Sequence, residues 1–252
     1  MISYARAFEI DLLTVAYNSI GVLKYHDFRS SGETYLIERY LTNKIRSPKP
    51  VMIDVGANKG DYSLALSAEF PTGKIIAFEP NPNAFKSLLA KLDGKNIECV
   101  PCGLSSKNGT QLLWVYPDDL GTEHASQSEE IFTSFFNCPE PSNVEIELTT
   151  LDYYCESNDI SVIDFLKIDT EGHEFDVLIG ATSMLEKNAI DVIQFEFGEC
   201  DVYSRVFMKD FYKLLGNYDF FRLNTNEMVP LNEYTPAHEI FRFQNIIAVS
   251  RG

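Results

Sequence analysis

Three stretches of acids and glycines hold the residues whose types and spacing could do chemistry. They are "VMIDVGANKGDYSLAL" at 51–66, "AFEPNP" at 77–82 and "LKIDTEGHE" at 166–174. In the first, an apolar run reaches Asp54, and Gly56 and Gly60 follow with Ala57, Asn58 and Lys59 between them. A strand, a bare turn and a helix is the geometry in which a ligand lies across the carboxyl edge of a parallel sheet, against a helix N-terminus. Glycine at 56 and 60 permits the turn and lets a ligand approach the backbone. The dinucleotide fingerprint needs a further glycine where Asn58 stands, and a P-loop needs Gly-Lys before Ser or Thr where this chain has Lys59-Gly60. Both phosphate readings weaken together.

The second stretch puts Glu79 nineteen residues after Gly60, at the tip of the next strand. A carboxylate there can accept hydrogen bonds from both hydroxyls of a ribose. A ribose without a pyrophosphate fits S-adenosylmethionine, whose sulfonium is cationic and suits a pocket lined by Asp54, Glu79 and Asp169.

Taken together, "IDVGANKG", "AFEPNP" and "LKIDTEGHE" resemble the FkbM family of S-adenosylmethionine-dependent methyltransferases, over roughly residues 50–200. The resemblance implies an α/β class I (Rossmann-like) methyltransferase fold, with a mainly parallel seven-stranded sheet and an antiparallel terminal strand. It implies O-methylation of a hydroxyl on a saccharide or natural product. It also implies roles by position: Gly56, Ala57, Asn58 and Gly60 pass under the methionine part of the cofactor with Asp54 at the floor. Glu79 holds the ribose, Asn81 flanks it, and Gly103 and Leu104 border the adenine.

In "KIDTEGHE", Asp169 then lies beside the transferable methyl group, with Glu171 and His173 following. Transfer needs oxygen, methyl carbon and sulfur in line, and help with the hydroxyl proton. A histidine, with reference pKa ~6.5, serves better as base than a free carboxylate near ~4, so His173 is one candidate. Asp169 is another if desolvation raises its pKa. The family more usually has a small residue at the position of His173, which leaves a surface residue of the following helix as the other reading. Asp169, Glu171 and Glu196 or Glu199 could hold Mg²⁺ without the pattern demanding a metal. Glu196 and Glu199 could equally bind acceptor hydroxyls. An NAD(P)-dependent oxidoreductase and a nucleoside-binding module without turnover remain the alternatives.

The elements that position these residues alternate from Val51 onward. Short apolar runs at "VMIDV", "KIIAFEP", "NIECVP", "DFLKID" and "DVIQFEF" read as strands covered on both faces. Helices are expected between them, including one continuous helix through "EFDVLIGATSML" with Phe175, Leu178, Ile179 and Leu185 on one face, and another through "YSRVFMKDFYKLLGN". Such alternation implies right-handed crossovers and a parallel sheet. "DFFRLN" and "QNIIAVS" are expected to pair antiparallel. Residues 1–49 read as a helical cap, with Phe8, Leu12 and Val15 on one helix and a second helix from near Ser31. The domain proper is expected at 50–252. Within it, 117–143 is a lid-like insertion whose Phe132, Phe135 and Phe136 could contact an acceptor or pack on the core.

A net charge of -16 disfavours nucleic acid and anionic membrane as partners. Glu9 and Asp11 interrupt the run where a signal peptide would be apolar, and a cytoplasmic protein without membrane insertion is expected. Five cysteines suit reduced thiols. The "CVPC" pair at Cys99 and Cys102 reads as a strand and its end, not as a redox or zinc site. Oligomeric state is not legible.

Overall fold

A computed structural model describes residues 11–23, 27–117 and 125–252. The main sheet is built from β1 (Val51–Val55), β2 (Lys74–Phe78) and β3 (Ile97–Val100), then β7 (Ile163–Ile168), β8 (Ile190–Phe197), β9 (Tyr218–Asn224), β10 (Glu227–Leu231) and β11 (Gln244–Ser250). Their order is β10-β9-β11-β8-β7-β1-β2-β3. The five strands from β8 to β3 are parallel to their neighbours, whereas β11 lies antiparallel between β8 and β9. This is the class I arrangement with its reversed last strand. All seven expected strands are present, and β10, paired antiparallel to β9, adds an eighth at the edge.

A second sheet of three strands carries the insertion: β4 (Gly103–Leu104), β5 (Gly109–Val115) and β6 (Ser142–Thr149), in the order β4-β6-β5. β5 and β6 pair antiparallel from Gly109–Leu148 to Val115–Ser142.

Alternation along the buried strands splits their side chains between two layers. Ile53, Val55, Leu166, Ile168, Ile193 and Phe195 face the larger core. Met52, Phe165, Val192 and Ile247 face the other, where Leu36, Ile37 and Leu41 pack onto them. Each fully buried aliphatic side chain contributes ~2 kcal/mol, so those three residues alone dock the helix at 33–44 firmly. Its middle, Leu36–Leu41, is a π-helix. On this face the strands turn polar toward the carboxyl edge. Asp54 follows Met52, Lys167 and Asp169 follow Phe165, and Gln194 and Glu196 follow Val192. Register places Asp54 beside Lys167 and Lys167 beside Gln194.

Several local expectations change. The helix expected through "EFDVLIGATSML" is two helices, Glu174–Ile179 and Thr182–Glu186, broken at Gly180. A Cβ at Gly180 would collide with the Ser105 carbonyl, so only glycine lets the chain pass that close at the break, and Ile179 stays 37% exposed. The next is likewise split into Cys200–Ser204 and Met208–Leu214 by Arg205 at φ 59. Leu12 and Val15 lie on the helix Leu12–Ser19, but they are 41% and 54% exposed and bury no stripe. Phe8 lies outside the described residues. A helix at Leu151–Ser157, capped by the Thr150 hydroxyl on Tyr153 N, was not expected. No helix among the described residues is long and apolar enough to cross a membrane.

Candidate active site

The carboxyl edge of β1, β7 and β8 opens into a cavity of about 560 Å³, a size that suits a small-molecule site. Gly56, Ala57 and Asn58 form one wall, and Asp169, Glu171 and Gly172 the next. Glu196, Glu199 and Cys200 come from β8 and the turn after it. Phe28 and Glu33 reach in from the cap, and Phe135 and Phe136 from the insertion.

The turn after β1 is shaped by the chain's own packing. Gly56 sits at φ 77, and a Cβ there would run into the Asp169 carbonyl, so the β1 turn and the β7 tip touch through the missing side chain. Gly60, at φ 87, leaves room for Leu88 Cδ1, which a Cβ would meet at 2.7 Å. The close approach expected from a ligand at these two glycines is therefore made by protein, and Gly60 does not line the cavity. Gly56 N and Ala57 N both donate to the Phe78 carbonyl, at 3.0 and 2.9 Å. Asn58 N donates to Glu79 Oε2 at 2.8 Å, and Gly60 N to the Ala57 carbonyl at 2.8 Å. With these amides spent, the turn offers no nest for a pyrophosphate, in agreement with the missing fingerprint glycine.

Glu79 ties two turns together. Its Oε2 takes the Asn58 amide, and its Oε1 takes the Asn81 amide at 2.8 Å. Burial pushes its carboxyl up to about 7, against the lowering effect of those two amides. It lies behind the Asn58 turn rather than on the cavity wall. Each oxygen has a second lone pair, which is the acceptor capacity a pair of vicinal hydroxyls would use. Asn81, expected to flank the ribose, is buried and caps the helix Pro82–Lys91, its Oδ1 accepting from Asn83 N at 2.9 Å. Gly103 and Leu104, expected at an adenine, form β4 and pair with Leu148 and Thr149. A Cβ on Gly103 would lie 2.7 Å from Leu148 Cδ2 and 3.5 Å from Pro80. All three stand outside the cavity wall because capping and strand pairing already occupy them.

Below the wall lies a buried charge cluster. Asp54 is fully buried, accepting from Ser63 Oγ at 2.6 Å and facing Lys167 Nζ at 3.5 Å. Lys167 Nζ is 3.0 Å from Asp169 Oδ2 and 4.8 Å above the Tyr62 ring. Asp169, Asp54 and Glu33 raise the lysine's pKa above its ordinary range despite the opposing effect of burial. Glu33 Oε1 accepts from Gln194 Nε2 at 3.1 Å, and its Oε2 from Ser31 Oγ at 2.8 Å. Sequence reasoning missed Lys167, Glu33 and Tyr62. The available signal was a lysine within an otherwise apolar, doubly covered strand, since a buried cation requires counter-charges.

The turn after β7 is folded by Glu174, whose carboxylate accepts from Thr170 N at 2.8 Å, Thr170 Oγ1 at 3.0 Å and Gly172 N at 3.0 Å. Glu171, at φ 53, lines the cavity, and its carbonyl accepts from Ser126 Oγ at 3.0 Å. That bond attaches the insertion to the site. His173 is held by two other groups: its Nε2 is 2.9 Å from Ser105 Oγ and its Nδ1 is 3.4 Å from Asp176. It is not on the cavity wall, and burial lowers its pKa against the pull of Asp176. The base expected at His173 is thus occupied in joining two elements. Among the described residues no three His, Cys, Asp or Glu side chains converge as metal ligands, so Asp169, Glu171 and Glu196 or Glu199 do not form the considered Mg²⁺ set.

Residues 54–221 match the family described as the methyltransferase FkbM domain, well over half of the chain. The chain belongs to the FkbM methyltransferase family. It is 32% identical over 155 residues to methyltransferase sdnD of Sordaria araneosa, covering 52% of this chain and 60% of that one. It is 30% identical over 168 residues to the hexuronic acid methyltransferase AglP of Haloferax volcanii, covering 66% and 61%. To the 31-O-demethyl-FK506 methyltransferase FkbM of Streptomyces tacrolimicus it is 27% identical over 155 residues, covering 53% and 60%. The chain thus spans about three fifths of the length of these relatives.

Proposed function

We propose that this FkbM-family chain binds S-adenosylmethionine at the carboxyl edge of β1 and β7, with the tip of β2 behind that turn, and methylates a hydroxyl of a saccharide or natural-product acceptor. The observation that carries this reading is the cavity itself, bounded by the Gly56–Asn58 turn, Asp169 and Glu196. Its donor set fits the cofactor. The turn's amides are consumed internally, which suits a ligand without phosphate, and the surrounding carboxylates suit a cation. Bound S-adenosylmethionine supplies an electrophilic methyl group on a sulfonium.

Of the chain's own residues, Glu79 would accept hydrogen bonds from ribose hydroxyls through its remaining lone pairs. Gly56, Ala57 and Asn58 would run alongside the cofactor, over the buried floor at Asp54. Asp169, held by Lys167, would orient the acceptor hydroxyl, and Phe135 and Phe136 would shield the site from water. The names of two relatives, a hexuronic acid methyltransferase and a 31-O-demethyl-FK506 methyltransferase, support a hydroxyl on a sugar or a natural-product scaffold.

Isothermal titration with S-adenosylhomocysteine and with NAD tests the reading. Saturable binding of S-adenosylhomocysteine and none of NAD is expected. The reverse would replace methyl transfer with nicotinamide chemistry.

A further inference from the structure

Most carboxylates on the cavity wall are committed to the protein. Asp169 is paired with Lys167 at 3.0 Å. Glu33 accepts from Ser31 and Gln194, Glu174 from Thr170 and Gly172, and Asp201 from Gly198 N at 2.7 Å. Glu171 accepts from the Cys200 thiol at 3.6 Å. Two wall carboxylates, Glu196 and Glu199, have no side-chain hydrogen bond or ion pair among the described residues. Only Glu196 stands on a strand; Glu199 lies beyond the end of β8.

The sheet register fixes the neighbours of Glu196. Ile168 of β7 pairs with Phe195 of β8, so Asp169 and Glu196 occupy the next positions and emerge side by side. On the other flank Glu196 pairs with Asn245 of β11, and paired residues in an antiparallel ladder present their side chains to one face. Asn245 is 2% exposed. Its Oδ1 accepts from Gln194 Nε2 at 2.9 Å, while its Nδ2 is buried without a hydrogen-bond partner. A buried amide left with unused donors is costly unless something completes it, and its cross-strand neighbour is a carboxylate.

We propose that Glu196 is the catalytic residue that accepts the acceptor's hydroxyl proton, with Asn245 as its positioning residue. This rests on the methyl-transfer reading above. In the step, the acceptor O–H bond breaks and its proton passes to a Glu196 oxygen. The acceptor oxygen forms the new O–C bond as the C–S bond breaks, and that electron pair stays on sulfur, leaving the neutral thioether S-adenosylhomocysteine. Asn245 Nδ2 lies on the same face to steady the carboxylate before the proton arrives.

The electrostatics agree with the geometry. Burial first, then the charges of Asp169 and Glu171, raise Glu196 well above the ordinary carboxylate range; Lys167 opposes them, and Glu33 adds to the rise. Those four groups face it from β7, the following turn and the cap. A carboxylate so placed is a stronger base than one in its ordinary range.

The test combines a titration with turnover. Carboxyl carbons of labelled glutamate are followed by NMR against pH in the ligand-free wild type, in E196Q and in N245L. One resonance titrating well above the ordinary range should vanish in E196Q and move higher still in N245L. With S-adenosylmethionine and a panel of methyl hexosides, E196Q should lose about 10²- to 10⁴-fold in kcat. Its affinity for S-adenosylhomocysteine should stay within about threefold, because the lost interaction belongs to the transition state. A Glu196 that titrates as an ordinary carboxylate, or an E196Q that keeps wild-type turnover, overturns the inference alone. A wild type that does not bind S-adenosylhomocysteine overturns it together with the reading on which it rests.

Discussion

Lys167 Nζ sits 3.0 Å from Asp169 Oδ2 and 3.5 Å from Asp54 Oδ1, so one buried cation links the floor of the β1 turn to the tip of β7. Its side chain is only 6% exposed. Removing one partner of such a group leaves uncompensated buried charge. Lys167→Met should therefore cost about 3–5 kcal/mol of unfolding free energy, measured in urea. A loss below about 1 kcal/mol, the scale of an exposed ion pair, would show that this cluster is well solvated.

Glu79 gives stability a definite pH dependence. Its carboxyl is raised from 4.5 to about 7 in the fold, chiefly by burial, so the protonated form is the one the native state favours. The contribution is complete below the unfolded value and is lost as pH rises through about 7. Stability should fall across that window by up to ~3 kcal/mol from this group. Glu174, also raised to about 7 by burial, adds a second share. Urea midpoints against pH should be flatter in E79Q than in the wild type. An unchanged slope would mean that Glu79 does not titrate there.

Glycine positions should differ sharply in tolerance. At Gly56 a methyl group meets the rigid Asp169 backbone, whereas at Gly60 it meets the flexible end of Leu88, and at Gly94 it meets nothing within 4 Å. All three have positive φ, a shared penalty of ~1–2 kcal/mol for alanine. G94A should show that penalty alone, G60A slightly more, and G56A the largest loss together with weakened S-adenosylhomocysteine binding. Equal thermal shifts in all three would remove the claim that the Gly56 contact matters.

The insertion's phenylalanines divide between packing and the cavity. Phe132 is fully buried against Tyr116 and Phe136, whereas Phe135 is 36% exposed and lines the cavity. F132A should destabilise by about 3–5 kcal/mol. F135A should stay within about 1 kcal/mol of wild type, as a partly exposed site does, and instead raise the acceptor KM. Destabilisation of F135A matching that of F132A would assign both residues to the core.

Acceptor charge should matter, because the cavity's buried cation, Lys167, is already paired with Asp54 and Asp169, while Glu171 and Glu199 add acidic groups to a wall whose other lysine is Lys59. A carboxylated acceptor would enter against these charges. Methyl hexosides should be used at least about tenfold more efficiently than methyl hexuronosides, a difference of ~1.4 kcal/mol. The opposite ranking would place this chain with AglP, whose name specifies hexuronic acid.

The strands and their tips were legible because doubly covered strands are short, apolar and bounded by turn residues. Asp169 and Glu171 end a visible strand, and the structure brings them together with Gly56, Ala57 and Asn58. The close approach that reserves position 180 for glycine was not legible, since the Ser105 carbonyl comes from a distant strand end. Helical periodicity carries no record of such a contact. His173 looked like chemistry on reference pKa alone, but its partner Ser105 lies 68 residues away in sequence. Lys167 was visible as a residue, and its partners were not, because Glu33 comes from the cap and Asp54 from another strand. The eighth strand, β10, contains Pro230, which lowers its signal and is tolerated at a sheet edge.

The fit of the Asp169 carbonyl into the space left by Gly56 makes two turns 113 residues apart in sequence a single mechanical part. Neither can be redrawn alone: a chimera that imports a relative's "GANKG" turn without its "KIDTEGHE" partner would join surfaces that were never matched to each other. Swapping the two segments as a set is the route by which one family member's site could be carried onto another's scaffold.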